Sequence, residues 1–178
     1  MKFFKYKNNK SIIHDNHGFT IIEVIVATTI ISVTVFALVI TAQKGVELST
    51  RALKQSQANV LLEEGAEAVK SIRDNNWTTI SNLSLDTDYY LYFDNTNNIW
   101  TLNTSNTPPS GFIPAYPIDS IFNRKVVVSS VYRDTSDDIS SSGTIDSKTK
   151  KVTVSVSWVD SKGSITKDLV FYIADIFN

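Results

Sequence analysis

A long uncharged stretch separates a lysine-bearing start from the rest of the chain. From Val24 to Gln43 no residue carries a formal charge. The run from Ile21 to Ala42 is about long enough to cross a bilayer as a helix, which takes roughly 20 apolar residues. Four lysines precede this run and Lys44 follows it, so the lysine distribution predicts a cytoplasmic start and an external remainder. The alternative on topology alone is a signal anchor that is never cut.

An apolar stripe extends the helical pattern beyond the uncharged stretch. Apolar residues recur among charged ones at near-heptad spacing: Val46, Leu53, Val60 or Leu61, Ala68 and Ile72. This pattern predicts one buried face on an otherwise polar helix. No proline interrupts residues 19–76, and the polar run 74–76 makes a suitable end, so we predict one helix from about Ile21 to Asp74. Gly45 and Gly65 each cost about 1 kcal/mol relative to alanine in a helix interior, and they permit either close packing or bending.

After Ser81 the pattern changes to alternating apolar and polar residues separated by turn residues. We predict a hairpin, a middle strand and a final strand pair: Tyr89–Phe93 with Ile99–Leu102, Lys125–Arg133, and Lys151–Val159 with Ile165–Ile173. Loops are expected at 108–117 and 134–147, where turn-forming residues are dense. The expected fold class is α+β. A long N-terminal helix, with a membrane or filament-core half and an amphipathic half, packs on an antiparallel β-sheet.

Glu23 lies at the start of the apolar stretch, where an ionisable side chain is expensive. It gains a role if the chain is cut after Gly18. The new α-amino group of Phe19 is then positively charged near neutral pH, and residues i and i+4 share one face of a helix. Glu23 is thus placed to neutralise the amine of its own chain or of a neighbouring chain. An ordinary secretory signal differs, because it is cut after its apolar segment.

The run Gly18-Phe19-Thr20-Ile21-Ile22-Glu23, followed by the apolar stretch, resembles the signature of the type IV pilins and pseudopilins. The resemblance implies that a prepilin peptidase cuts after Gly18 and methylates Phe19, and that Glu23 helps to bring subunits into register. It also implies other pilin or pseudopilin subunits, an inner-membrane assembly platform and membrane lipid as partners. The precursor is then expected in the cytoplasmic (inner) membrane with its C-terminal domain outside, and later in an extracellular or periplasmic pilus filament.

On this interpretation the chain has four parts. Residues 1–18 are the prepilin leader peptide, and residues 19–43 are the transmembrane or filament-core helix. Residues 44–76 are the amphipathic extension of the same helix, and residues 77–178 are the globular antiparallel β-sheet domain.

A second resemblance concerns the branch of this family. Residues 61–77 and the strand Val152–Trp158 are similar to minor pilins of the PilV type and to the minor pseudopilin I. This similarity implies a low-abundance structural subunit of a filament tip or of an initiating complex. Two alternatives stay open: a pilin-anchored binding module that acts as an adhesin or captures DNA, and a minor pseudopilin of a type II secretion or competence system. The machine that the subunit serves is also left open between adhesion, twitching, DNA uptake and protein secretion.

Composition argues against an enzyme and against a metal or cofactor site. Both histidines, His14 and His17, precede Gly18, and the chain has no cysteine. A chain cut after Gly18 therefore has no Ser-His-Asp or Cys-His catalytic set and no His or Cys metal ligand. Removal of four Lys and one Asp leaves 13 basic and 17 acidic residues, a formal net charge of −4. This balance does not favour nucleic-acid binding through phosphate neutralisation.

Two further binding surfaces are considered and not favoured. The aspartates between Asp134 and Asp146 offer calcium a set of oxygens, but their spacing matches no calcium motif. The aromatic residues of the first hairpin, with Arg124 and Lys125, offer a stacking surface for nucleic acid or glycans. Aromatic residues in strands more often form core and cross-strand contacts, and we expect that role here.

Overall fold

The structure, a computed structural model, describes residues 18–114 and 116–176. A single helix, α1, spans Ile21–Asn75 and has 55 residues, which confirms the helix predicted from about Ile21 to Asp74. The chain divides between Leu48 and Ser49 into two compact units. The first unit contains the apolar start of α1, and the second contains the remainder of α1 and the described strands.

In the second unit α1 buries a narrow face made mostly of small residues: Ala58, Leu62, Gly65, Ala66, Ala68, Val69 and Ile72. The positions 58, 62, 65, 69 and 72 alternate spacings of four and three, as one face of a helix does. The predicted stripe is therefore confirmed at Ala68 and Ile72 and wrong at Val46 and Leu53, which are 69% and 60% exposed. Of the alternatives Val60 and Leu61, Leu61 packs against the core and Val60 is 61% exposed. The small residues let the strands pack close to α1. The side of α1 that is buried is therefore the side with the smallest residues, and not the side with the most hydrophobic ones.

A short helix that was not predicted follows α1. This helix, α2, spans Trp77–Ser81 and buries Ile80. Asn76 has an extended backbone, and its side chain accepts a hydrogen bond from the Thr78 backbone N–H at 3.0 Å. Asn76 is thus an N-cap, a position that asparagine favours. The polar run 74–76 ends one helix and immediately starts the next.

The first hairpin forms as predicted. Strands β1 (Tyr90–Asp94) and β2 (Ile99–Asn103) pair antiparallel. The two-residue strand β3 (Phe112–Ile113) pairs with the other edge of β1, which gives a three-stranded sheet of order β2-β1-β3. The interval 108–117 was expected to be a loop throughout, and β3 corrects this at two residues.

The remaining strands form a second antiparallel sheet, of order β5-β4-β6-β7. They are β4 (Asn123–Arg133), β5 (Ile139–Ser140), β6 (Thr144–Asp160) and β7 (Gly163–Ala174). The predicted strands are confirmed, but the loop predicted over 134–147 is wrong in part. It contains β5 and the first residues of β6, because the register of β4 with β6 shifts after Ser130 and the pairing then resumes.

Gly65 lies at a close approach of α1 to the four-stranded sheet. A Cβ atom placed on Gly65 would lie 2.8 Å from Val154 Cγ1 and 3.2 Å from Arg124 Cδ. Val154 is fully buried between Val152 and Val156, which are also buried. Of the two roles that the sequence left open for Gly65, the structure therefore supports close packing.

The ion pair between Arg133 and Asp146, which lies where β4 and β6 pair again after Ser130, predicts how the stability of the fold depends on pH. Arg133 Nε lies 2.7 Å from Asp146 Oδ2, and this hydrogen bond, with others from Thr149 and Lys148, lowers the pKa of Asp146 to about 2. A carboxyl group whose pKa is lower in the folded state stabilises the fold above its unfolded pKa of about 3.9, and that contribution is lost as the pH falls. We expect Asp146→Asn to be less stable than wild type at neutral pH. The difference in unfolding free energy should shrink as the pH falls from about 4 towards 2.

Urea unfolding followed by tryptophan fluorescence at a series of pH values measures this difference. Asp119→Asn is the matched control, since it removes a carboxylate that has no ion pair with a described residue. A difference between wild type and Asp146→Asn that stays constant down to pH 2 would contradict the role of this ion pair.

Candidate functional site

Reciprocal hydrogen bonds between Thr20 and Glu23 cap the N-terminus of α1. Glu23 Oε2 accepts hydrogen bonds from the Thr20 backbone N–H at 2.8 Å and from Thr20 Oγ1 at 3.0 Å. The Glu23 backbone N–H donates to Thr20 Oγ1 at 3.4 Å. This is a capping box, in which two otherwise unsatisfied donors at a helix start are satisfied together. The pattern Thr-x-x-Glu in the sequence is the signal that could have predicted this contact.

The capping box uses only one carboxylate oxygen of Glu23. Both of these hydrogen bonds end on Oε2, which leaves Oε1 able to accept a further donor. Phe19, four residues before Glu23, is 87% exposed, and a Cβ atom placed on Gly18 would meet no described atom within 4 Å. The structure therefore places the three predicted residues Gly18, Phe19 and Glu23 together at one accessible helix start. The four lysines before Gly18 and both histidines lie outside the described residues.

The apolar start of α1 has no cover within the described chain. Its isoleucine, valine, leucine and phenylalanine side chains from Ile21 to Ile40 are exposed. By length and composition this is a helix that could cross a membrane, and none of its most apolar window is buried. A membrane or other subunits are the two environments that cover such a surface.

The polar side chains of this segment are satisfied within the helix. Hydroxyl groups donate to backbone carbonyl oxygens one turn earlier at 2.6–2.9 Å: Thr28, Thr29, Ser32, Thr34 and Thr41. Hydroxyl groups that bond to the preceding turn need no water. The segment can therefore enter an apolar environment without leaving these hydroxyl groups unpaired.

The aromatic residues considered, and not favoured, as a stacking surface on the first hairpin are buried or half-buried. Tyr89 and Tyr92 are buried, and the Tyr92 hydroxyl donates to the Ser105 carbonyl oxygen at 2.9 Å. Burial, with smaller contributions from Tyr116 and Tyr90, raises the pKa of Tyr92 to about 12. The expectation that these aromatic residues serve packing is confirmed for Tyr89 and Tyr92.

Arg124, considered together with these aromatic residues as part of a stacking surface, is completely buried. Its Nη1 donates to the Leu61 carbonyl oxygen at 3.2 Å and lies 3.0 Å from Glu64 Oε2. Its guanidinium carbon lies 5.7 Å from the centroid of the Trp100 ring. Arg124 thus fixes α1 against both sheets and is unavailable to a ligand at the surface. Sequence analysis missed this role because an arginine at a strand start gives no sign of burial.

The acidic interval 134–146 organises its own backbone. Asp134 Oδ1 accepts hydrogen bonds from the backbone N–H groups of Ser136 and Asp138. Arg133 donates to the Asp137 carbonyl oxygen and pairs with Asp146. Within residues 18–114 and 116–176, no three His, Cys, Asp or Glu side chains come together in a group that could hold a metal ion.

A long N-terminal helix that packs on antiparallel sheets, preceded by a processing-type sequence, defines a pilin-like α+β precursor. Comparison with known families supports this class independently. Residues 13–42 match the family model described as the prokaryotic N-terminal methylation motif. The chain therefore carries the type IV pilin and pseudopilin signature at its N-terminal helix. The motif is that of a structural subunit, and it implies processing by a prepilin peptidase and assembly with other pilin subunits. No curated protein and no solved structure matches the chain.

Proposed function

We propose that this chain is a structural subunit of a type IV pilus-like filament. In this proposal a prepilin peptidase cuts after Gly18 and methylates Phe19. The subunit then assembles through its N-terminal helix, with Glu23 accepting the charged terminal amine of its own or a neighbouring chain. The observation that carries the proposal is the methylation motif at residues 13–42, which includes the apolar start of a helix that no other part of the described chain covers.

The four parts of the chain then have separate roles. Residues 1–18 are removed, and residues 19–43 hold the precursor in the cytoplasmic membrane and later enter the filament core. Residues 44–76 and 77–178 form the part that lies outside the membrane. The assembly platform in the membrane transfers the subunit from lipid to neighbouring subunits.

The similarity to minor pilins supports a low-abundance subunit. It rests on residues 61–77 and on Val152–Trp158, and these two segments contact each other in the structure. Gly65 and Leu62 of the helix are buried, as are Val154 and Trp158 of β6. The similarity therefore concerns one helix–strand contact in the core, which supports a shared arrangement of α1 on the sheet.

Fractionation of the native host tests the proposal. We expect the cut chain in filaments sheared from the cell surface, at much lower abundance than the main filament protein. A cut chain found only in the membrane would indicate a short pseudopilus or an initiating complex. An uncut chain found only in the membrane would contradict the proposal and favour a plain signal anchor.

A further inference from the structure

An apolar groove runs along one side of α1 in the second unit. It consists of two hollows that share Leu61. The larger, about 340 Å³, is lined chiefly by Leu61, Phe93, Trp100, Ile113 and Ile118. The smaller, about 230 Å³, includes Val60 and Phe122 in its lining. Together the two hollows follow α1 from position 56 to position 64, which is slightly more than two helical turns.

The floor of the larger hollow is an apolar row across the three-stranded sheet. Phe93 is paired with Trp100 on β2 and with Ile113 on β3, so the three side chains lie side by side on one face. The rings of Phe93 and Trp100 meet edge to face at 5.2 Å. Arg124, fixed by Leu61 and Glu64, lies against Trp100. The hollow is therefore formed by side chains that hold one another in place.

Exposed aliphatic side chains continue this surface. Ile113 is 51% exposed, and Leu53 and Val60 on α1 are more exposed still. Contiguous exposed apolar side chains of this kind mark interaction sites.

The groove suits an apolar helix better than a polar ligand. The lining of the larger hollow has one charged residue, Glu64, among apolar and aromatic side chains, and the polar residues Ser56, Gln57 and Asp119 belong to the smaller hollow. A groove that follows a helix for two turns can take a second helix through side chains three and four positions apart. The N-terminal stretch of a subunit with the same motif is such a helix, since residues 24–43 of this chain carry no charge.

Resting on the proposed function, we propose that this groove seats the apolar N-terminal helix of an adjacent pilin subunit. The groove and the N-terminal helix are different surfaces. A contact between two different surfaces is heterologous and, where it does not close into a ring, extends into an open filament. The groove is then the place where the external part of one subunit covers the apolar helix of the next.

Site-specific photo-crosslinking in the native host tests this contact. Benzoylphenylalanine replaces Ile113, sheared filaments are irradiated, and the crosslinked peptides are sequenced by mass spectrometry. We expect crosslinks to the uncharged N-terminal helix of the adjacent subunit. In another copy of this protein, that helix is residues 19–43. Ile139 is the matched control, because it is 47% exposed but belongs to β5 of the other sheet. Crosslinks from Ile113 to an external surface, or equal crosslinks from Ile139 to the N-terminal helix, would overturn the inference.

Incorporation of charged variants gives a second readout. We expect Ile113→Glu to lower the amount of subunit in sheared filaments by about tenfold or more, and Ile139→Glu to stay within about twofold of wild type. If Ile113→Glu does not fold, the milder Ile113→Ser serves in its place. Normal incorporation of the Ile113 variant would refute the proposed contact at the groove and would leave the proposed function standing. Absence of the wild-type chain from every filament and membrane complex would refute the proposed function as well.

Discussion

Glu23→Gln is expected to be cut after Gly18 like wild type but to enter filaments poorly. Gln can replace Glu in a capping box, so the start of α1 remains capped by the contacts with Thr20. Only the negative charge is lost, and the amine of Phe19 is left uncompensated in an apolar environment. Removal of one partner of a buried charge pair costs about 3–5 kcal/mol, which corresponds to a loss of roughly a hundredfold or more in assembly. The measurement is the amount of subunit in sheared filaments relative to the amount of cut subunit in the membrane.

Thr20→Ala is the matched control for this prediction. It removes the hydroxyl that bonds Glu23 and keeps the charge, at a cost of about 1 kcal/mol in helix capping. We expect its incorporation to fall by much less than that of Glu23→Gln. If Glu23→Gln assembles normally while Thr20→Ala does not, Glu23 serves the helix start and not the contact between subunits.

Gly65→Val is expected to destabilise the second unit strongly. The added side chain meets Val154 Cγ1 and Arg124 Cδ, both of which belong to completely buried residues. Overpacking of a close-packed core typically costs about 1–3 kcal/mol and sometimes more. The change also threatens the Arg124 contacts with Leu61 and Glu64. We expect a fall in melting temperature of roughly 10 °C, measured on the full chain in detergent by near-UV circular dichroism.

Gly45→Val is the matched control, because a Cβ atom at Gly45 meets nothing within 4 Å. Valine has a slightly higher helix propensity than glycine, so we expect a change of only a few tenths of a kcal/mol there. Equal melting temperatures for the two variants would show that α1 can move away from Val154 at little cost.

The long helix and the paired strands could be predicted because their signals are local. Absence of proline over 19–76 predicts α1, and the alternation of valine with polar residues over 152–158 predicts the centre of β6. The buried row of α1 could not be predicted in the same way. The more hydrophobic row of α1 is Val46, Leu53 and Val60, and it is exposed. The sheet packs close to α1, and the small residues Ala58 and Gly65 leave room for this close packing.

Parts of the candidate site were predicted for a different reason than the one that the structure shows. Glu23 was singled out as an expensive charge, and the structure adds a contact with Thr20 that by itself accounts for a glutamate at this position. Arg124 was placed at a surface, because its burial depends on Leu61, Glu64 and Trp100, which are distant in sequence. Contacts of this kind depend on tertiary structure, and a single sequence does not record them.

Mass analysis of the N-terminus, on chain purified from sheared filaments and from membranes, tests whether the chain is processed as a pilin subunit. We expect a chain that begins at Phe19 and carries a methyl group on its terminal amine. A chain that still begins at Met1 in both fractions would refute the proposed function, because neither the charged amine for Glu23 nor the release from the membrane would then exist.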